Sequence, residues 1–288
     1  MILPWLPPGH TACLADRGEV FYRHHRHADA SAPTLLLLHG WTASADLQFF
    51  TAYEALAEHY SFIAIDHRGH GRGLRTNDKF ELADAAEDAA LLLQHLAVGP
   101  VITIGYSMGG PLSMLLTRSH PELVRGMVLQ ATALEWKSHW IERVRWKTVH
   151  LFGPYLRSHV YPRSMRWGIK RLLGSNHPTA RYVPWLASEL RRHDSFSMVQ
   201  AGQSLSRYDA REWASSLAKP AASLVTTRNR LVKPRKQRAL ADALNAIVVE
   251  LPDDHLSAWT SPDAFAKASV ELVRLVVSYT VVNKTVAG

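Results

Sequence analysis

Apolar residues along this chain gather in short unbroken runs. Thr34–Leu38, Phe62–Ile65, Val101–Ile104, Gly126–Leu129, Ala222–Thr226 and Ile247–Leu251 are each four or five residues long. A continuous apolar run of that length, bounded by turn residues, suits a strand buried on both faces. Between the runs lie segments with apolar positions at helical spacing. These cover about Phe49 to Glu58, Leu82 to Leu96, Gly109 to Ser119 (where His120-Pro121 stops the helix) and Pro262 to Val277. Ala12–Ala15 and Val20–Tyr22, joined by Asp16-Arg17-Gly18, read as an opening antiparallel hairpin. Alternating strands and helices predict an α/β fold with a mostly parallel sheet flanked by helices.

The pattern changes between about 135 and 213, where no good strand occurs. That stretch holds Trp136, Trp140, Trp146, Trp167, Trp185 and Trp213, six of the nine tryptophans. It also holds fourteen Lys/Arg against six Asp/Glu, an excess equal to the net charge of +8 of the whole chain. We read it as a helical insertion. Trp136, Trp140, Val144 and Leu151 fall on one predicted helical stripe, with Lys137, Arg143 and Lys147 largely off it. Three readings of this basic, aromatic segment stay open. Its tryptophans pack it onto the rest of the chain and its charges are a solvated face, or it serves an acidic or acyl-anionic substrate, or it makes peripheral contact with anionic lipid. No nucleic-acid motif accompanies the charge, so nucleic-acid binding is not expected.

Candidate chemistry begins at Gly105-Tyr106-Ser107-Met108-Gly109-Gly110, directly behind the run 101–104. A Gly-x-Ser-x-Gly turn between a strand and a helix is a nucleophile elbow. Its serine sits in a strained conformation with the hydroxyl lifted clear of the sheet. Side chains at Gly105 or Gly109 would clash where strand and helix pack closely. The amide N–H of Met108 then points to where an oxyanion would form. Upstream, the run 34–38 ends in His39-Gly40-Trp41, and the N–H of Trp41 is a second candidate oxyanion donor. The run 62–65 ends in Asp66-His67-Arg68-Gly69-His70-Gly71-Arg72-Gly73.

These three motifs, each at the end of an apolar strand and in this order, resemble the α/β-hydrolase superfamily in its serine-esterase-like branch. The resemblance covers about 12 to 134 and 214 to 275. It implies a hydrolase core of 1–134 and 214–288, with 135–213 as a helical cap that roofs the site and excludes water. It also implies a triad in the chain order serine, acid, histidine. His255, in the loop after the run 247–251, is the candidate base. Where the family carries its aspartate, after the run 222–226, this chain has Asn229. An amide keeps the shape and loses the charge, and it can hold the imidazole in the wrong tautomer. Three explanations stand: an introduced residue that slows turnover, a natural weak or non-hydrolytic member, or a substitute carboxylate. Glu135 ranks first for that last role, because adjacent Asp253 and Asp254 cannot readily fold back onto one ring.

The resemblance therefore implies a serine hydrolase cleaving a carboxylic ester or thioester through an acyl-enzyme, weakened at Asn229, with no cofactor and no metal. Two alternatives remain: a small-molecule-binding pseudoenzyme, and a non-ester member such as a C–C hydrolase or acyl transferase. Epoxide and haloalkane hydrolysis need an aspartate where Ser107 stands. Composition adds bounds rather than chemistry. A chain of 288 residues with 47% hydrophobic and 20% charged residues suits one large domain with an insertion. The run Arg23-His24-His25-Arg26-His27 lacks Cys or carboxylate at ligand spacing and reads as a solvated loop. The N-terminus does not read as a signal peptide, and no run approaches the length of a membrane span. Cys13, the single cysteine, favours a reducing, cytoplasmic setting.

Overall fold

The computed structural model describes residues 2–149, 154–155 and 160–286. Eight strands form one sheet: β1 Gly9–Leu14, β2 Gly18–His25, β3 Thr34–Leu38, β4 Ser61–Ile65, β5 Val101–Tyr106, β6 Val124–Gln130, β7 Ala221–Thr226 and β8 Ile247–Leu251. Their spatial order is β1-β2-β4-β3-β5-β6-β7-β8. β1 pairs antiparallel with β2, and β2 antiparallel with β4, while every pairing from β4 to β8 is parallel.

The apolar runs become strands because both faces of the sheet are covered. In β3, Leu36 and Leu38 join one core with Ile63, Ile65 and the helices α3 (Leu82–His95) and α4 (Gly109–Ser119). Leu35 and Leu37 point the other way, into a core with Phe62, the short helices α1 (Ala45–Phe49) and α2 (Tyr53–Ala57), and the last helix (Pro262–Val286). The two-residue period of the strand sends alternate leucines to opposite sides.

Two local expectations are corrected. The predicted helix over Phe49 to Glu58 is the pair α1 and α2. Ser44 caps α1, its side chain accepting the Leu47 N–H at 3.2 Å, and the chain turns before Tyr53. Arg23, His24 and His25 are strand residues of β2, not loop residues. Arg23 forks onto the buried carboxylate of Asp46 at 2.7 and 3.0 Å, which is what carries a charged residue into the sheet.

Between β6 and β7 the described residues form helices α5 (Trp140–Lys147), α6 (Val160–Leu173), α7 (Val183–Glu189) and α8 (Ser195–Arg207). One isolated bridge, Glu135 with Asp209, ties the two ends of this segment together. The predicted tryptophan stripe is not continuous. Trp136 lies before α5 and is buried, Trp140 and Val144 face solvent, and Leu151 lies outside the described residues. Within α5 Trp146 is buried, and its indole N–H donates to the Trp136 carbonyl at 2.7 Å. After β7 come α9 (Pro234–Ala243), then β8, the single turn α10 (Ser257–Thr260) and the last helix, α11.

The inserted helices are pinned to the strand ends beside a cluster of buried histidines. The His39 ring lies 4.0 Å from that of His67 and 5.3 Å from that of His70, and the His70 ring lies 5.9 Å from that of His193. His193 Nδ1 accepts the Gly71 N–H at 2.9 Å, and the Asp194 N–H donates to the Gly69 carbonyl at 2.8 Å. Burial keeps all four rings neutral. It pushes His67 and His193 down to about 3 and His70 to about 4, with neighbouring histidines adding to the shift at His67 and His193, and His39 is lowered in the same direction. In the unfolded chain these groups titrate near 6.5. Stability is therefore complete above about pH 6.5 and falls as the pH drops toward 3 to 4, because the unfolded state binds the extra protons. The expected slope is about 1.4 kcal/mol per pH unit for each titrating histidine. Urea unfolding between about pH 7.5 and about pH 4.5, roughly one unit above and two below the unfolded-state value, tests this. His193→Gln is expected to flatten the dependence, and an unchanged midpoint across the range would refute it.

Candidate active site

The elbow is built by close approach. A Cβ on Gly105 would stand 2.3 Å from the Gly109 carbonyl oxygen, and one on Gly109 would stand 2.0 Å from the Leu38 carbonyl oxygen. With no side chain at either place, β5 turns straight into α4. Ser107 is left at the apex with φ of 53°, in the left-handed region that L-residues adopt at a cost of about 1–2 kcal/mol. Three hydrogen bonds hold that backbone. The Ser107 N–H donates to Gln130 O at 2.9 Å, and the Ser107 carbonyl accepts from Gly110 N at 3.0 Å and Thr132 Oγ1 at 2.7 Å.

Ser107 Oγ lies 3.0 Å from His255 Nε2. His255 follows β8, and its own carbonyl is gripped by the hydroxyl of Tyr106 at 2.7 Å. Tyr106 is thus the residue beside the serine that fixes the histidine loop. It is buried, and burial pushes its phenol above the ordinary range, so it stays a donor.

On the far side of the imidazole, Nδ1 lies 2.9 Å from the Asn229 side-chain nitrogen. The direction of this bond is set by the rest of the amide. Asn229 Oδ1 accepts the backbone N–H groups of Leu231 at 3.0 Å and Val232 at 2.8 Å, and Nδ2 also donates to Thr226 Oγ1 at 2.8 Å. Reversing the amide would point its NH₂ at two N–H donors, so the oxygen stays with the backbone and the nitrogen faces the ring. An imidazole that accepts at Nδ1 carries its proton on Nε2. Nε2–H then donates to Ser107 Oγ, the reverse of what a general base requires.

Glu135 is not brought to this ring. One carboxylate oxygen pairs with Lys236 Nζ at 2.8 Å, and the other accepts the N–H groups of Lys137 and Ser138 at 2.8 and 2.7 Å. Burial raises its pKa, but Lys236 and those donors outweigh it and hold the carboxyl below the ordinary range. Asp254 is taken by Arg230 and by the N–H of His255, and Asp253 by Thr260. Beside Nδ1 of His255, the place of an acid is held by Asn229.

The candidate oxyanion donors flank Ser107. Met108 is fully buried at the N-cap of α4, where N–H groups are left without intrahelical partners. Gly40, just before Trp41, comes so close that a Cβ there would stand 3.3 Å from Ser107 Cβ. The Trp41 side chain is clamped beneath the inserted helices. Its indole N–H donates to Met198 O at 2.8 Å, its ring packs 5.5 Å from that of Trp146, and a Cβ on Gly202 would stand 2.6 Å from it.

Ser107 and His255 open onto a cavity of about 400 Å³. Trp41, Trp136, Trp146, Met165, Leu205 and Trp259 supply much of its wall, and no Lys, Arg, Asp or Glu lines it among the described residues. The described cations of the inserted segment therefore lie outside the cavity. Among the described residues no group of three or more His, Cys, Asp or Glu is placed to hold a metal ion.

Comparison with known proteins agrees with this architecture. A family model described as the α/β-hydrolase fold matches residues 33–262. Among curated proteins, the 2-(acetamidomethylene)succinate hydrolase of Mesorhizobium japonicum is 35% identical over 98 residues, which is 34% of this chain and 35% of the relative. The bifunctional esterase/perhydrolase of Acinetobacter calcoaceticus is 32% identical over 95 residues, 33% of this chain and 34% of the relative. These matches thus span about a third of each relative's length. A hydrolase from Pseudomonas aeruginosa PA01 superposes with a TM-score of 0.78 at 20% identity, covering 92% of this chain and 98% of that one. At that identity the likeness shows the fold alone.

The close contacts at the elbow carry a stability prediction. Gly109→Ala must separate α4 from β3 and should lower stability by about 1–3 kcal/mol or more, as overpacking does. Thermal unfolding followed by circular dichroism measures it, and a melting temperature equal to that of the parent would rule out the 2.0 Å approach to Leu38.

Proposed function

The chain belongs to the α/β-hydrolase fold family, and from that premise we propose a serine hydrolase that cleaves a carboxylic ester or thioester slowly, through an acyl-enzyme. The observation that carries the reading is the 3.0 Å contact of Ser107 Oγ with His255 Nε2 at the mouth of an apolar cavity. Ser107 attacks the carbonyl carbon, and the N–H groups of Met108 and Trp41 stabilise the oxyanion. His255 takes the serine proton and returns it to the leaving group, and water then clears the acyl-enzyme by the reverse use of His255. The uncharged lining supports a neutral, apolar acyl or alkoxy group rather than the anionic substrate that the charge of the inserted helices alone suggests.

Asn229 sets the rate in this reading. For His255 to act as a base its proton must sit on Nδ1, facing the amide nitrogen, where two donors repel. Replacing an aspartate by asparagine at the corresponding place of a serine protease costs about 10⁴ in kcat. A second reading rests on the same bond: a small-molecule-binding protein, in which Nε2–H and the hydroxyl of Ser107 hold a ligand carbonyl without turnover.

One experiment separates them. Asn229→Asp keeps one oxygen on the Leu231 and Val232 N–H groups and offers the other to Nδ1–H. It is expected to raise kcat for a short p-nitrophenyl ester by about 10²–10⁴, with little change in KM. Ser107→Ala, alone or with Asn229→Asp, should abolish that activity and labelling by a fluorophosphonate while leaving the circular dichroism unchanged. A gain below about threefold from Asn229→Asp, with no labelling of Ser107, would remove the hydrolase reading in favour of the binding one, and activity that survives Ser107→Ala would remove Ser107 as the nucleophile.

A further inference from the structure

The outward faces of α5 and α6 combine large exposed apolar side chains with cations. In α5 Trp146 is buried, while Trp140, Ile141 and Val144 are 61%, 55% and 53% exposed, beside exposed Arg143 and Lys147. In α6, Met165, Ile169 and Leu173 follow at four-residue spacing and turn toward the core. The opposite face centres on Trp167, 65% exposed, with the Arg171 guanidinium 5.5 Å from its ring centre and exposed Arg166 and Lys170 beside it. The sequence of α6 contains no Asp or Glu. Both helices also wall the cavity over Ser107, α5 through Trp146 and α6 through Met165.

We propose that these outward faces of the inserted helices dock on an anionic lipid bilayer. The choice of partner follows from what each surface could satisfy. A soluble polyanion pairs the cations but leaves Trp140, Ile141 and Val144 in water. A zwitterionic bilayer accepts the apolar chains but offers the cations no excess charge. A second copy of the chain would bring like charges face to face across a self-complementary contact. An anionic interface takes indole rings at headgroup depth and neutralises the Arg and Lys beside them. No helix among the described residues is long and apolar enough to cross a membrane, so the contact is one of lying on the surface. Docking there sets the apolar cavity beside the lipid phase, where apolar esters concentrate. The docking itself does not depend on the reading of Ser107.

The test is co-sedimentation of the full chain with vesicles of phosphatidylcholine alone and of phosphatidylcholine mixed with phosphatidylserine, at low and high salt, together with tryptophan emission. The parent is expected to bind the mixed vesicles at least about tenfold more strongly, with a blue shift, and to weaken with salt. Arg166→Gln/Lys170→Gln should lower binding by about fivefold for each cation removed. Trp140→Gln/Ile141→Gln/Val144→Gln should abolish the blue shift and lower binding by at least about tenfold. Because all these side chains are exposed, the melting temperature should not move. Three results would overturn the proposal: no binding to the mixed vesicles, binding by the apolar triple variant equal to the parent's, or a concentration-dependent dimer of the parent that the triple variant cannot form.

Discussion

A carboxamide presents an acceptor on one arm and donors on the other, and the fold decides which arm meets the His255 ring. In this chain the turn after β7 brings the N–H groups of Leu231 and Val232 onto the Asn229 oxygen, and the nitrogen is left to face His255 Nδ1. The polarity then runs outward from the backbone, from amide to imidazole to serine. All else in the site serves geometry: the elbow lifts Ser107, Tyr106 grips the histidine loop, and Gly40 lets the neighbouring strand end approach. That geometry is complete, and the proton stands on the wrong side of the ring. A cysteine–histidine–asparagine site uses the amide oxygen to orient its histidine. Here the backbone has already claimed that oxygen, so the comparison does not carry over.

The inserted helices divide their character between two faces. Inward they give tryptophans, methionine and leucine to a cavity that no Lys, Arg, Asp or Glu lines among the described residues, and outward they expose Arg143, Lys147, Arg166 and Lys170. The anchor between them and the sheet is a set of neutral histidines at the strand ends, together with Lys236 pairing both Glu135 and Glu142 at 2.8 and 2.6 Å. Apolar packing accompanies these polar attachments, with Trp146 and Leu205 in one core of the sheet and Ile169 and Trp185 in the other.

Sequence made the sheet legible because buried parallel strands need unbroken apolar runs, and the elbow legible because close packing demands glycine at 105 and 109. Placing His255 needed only the order of strands. Other features depend on where distant segments meet. The Asn229 position was readable, but the direction of its hydrogen bond was not, since that depends on two N–H groups in the following turn. Glu135 looked available in sequence because nothing there reveals that Lys236, about a hundred residues on, closes upon it. The histidine cluster was missed for the same reason: His193 joins His39, His67 and His70 only after the insertion folds back. In the insertion, helical periodicity was applied across Trp136, which lies before the first turn of α5. The stripe is therefore not one face, and Trp140 and Val144 face solvent while Trp136 is buried.

The tautomer of His255 is the most direct test of this account. Nitrogen-15 NMR of histidine-labelled protein reports which ring nitrogen holds the proton, with the His255 signals identified by their absence in His255→Gln. At a pH where the ring is neutral, the account predicts a protonated Nε2 and a bare, hydrogen-bond-accepting Nδ1 in the parent, reversed in Asn229→Asp. A proton on Nδ1 in the parent would contradict it.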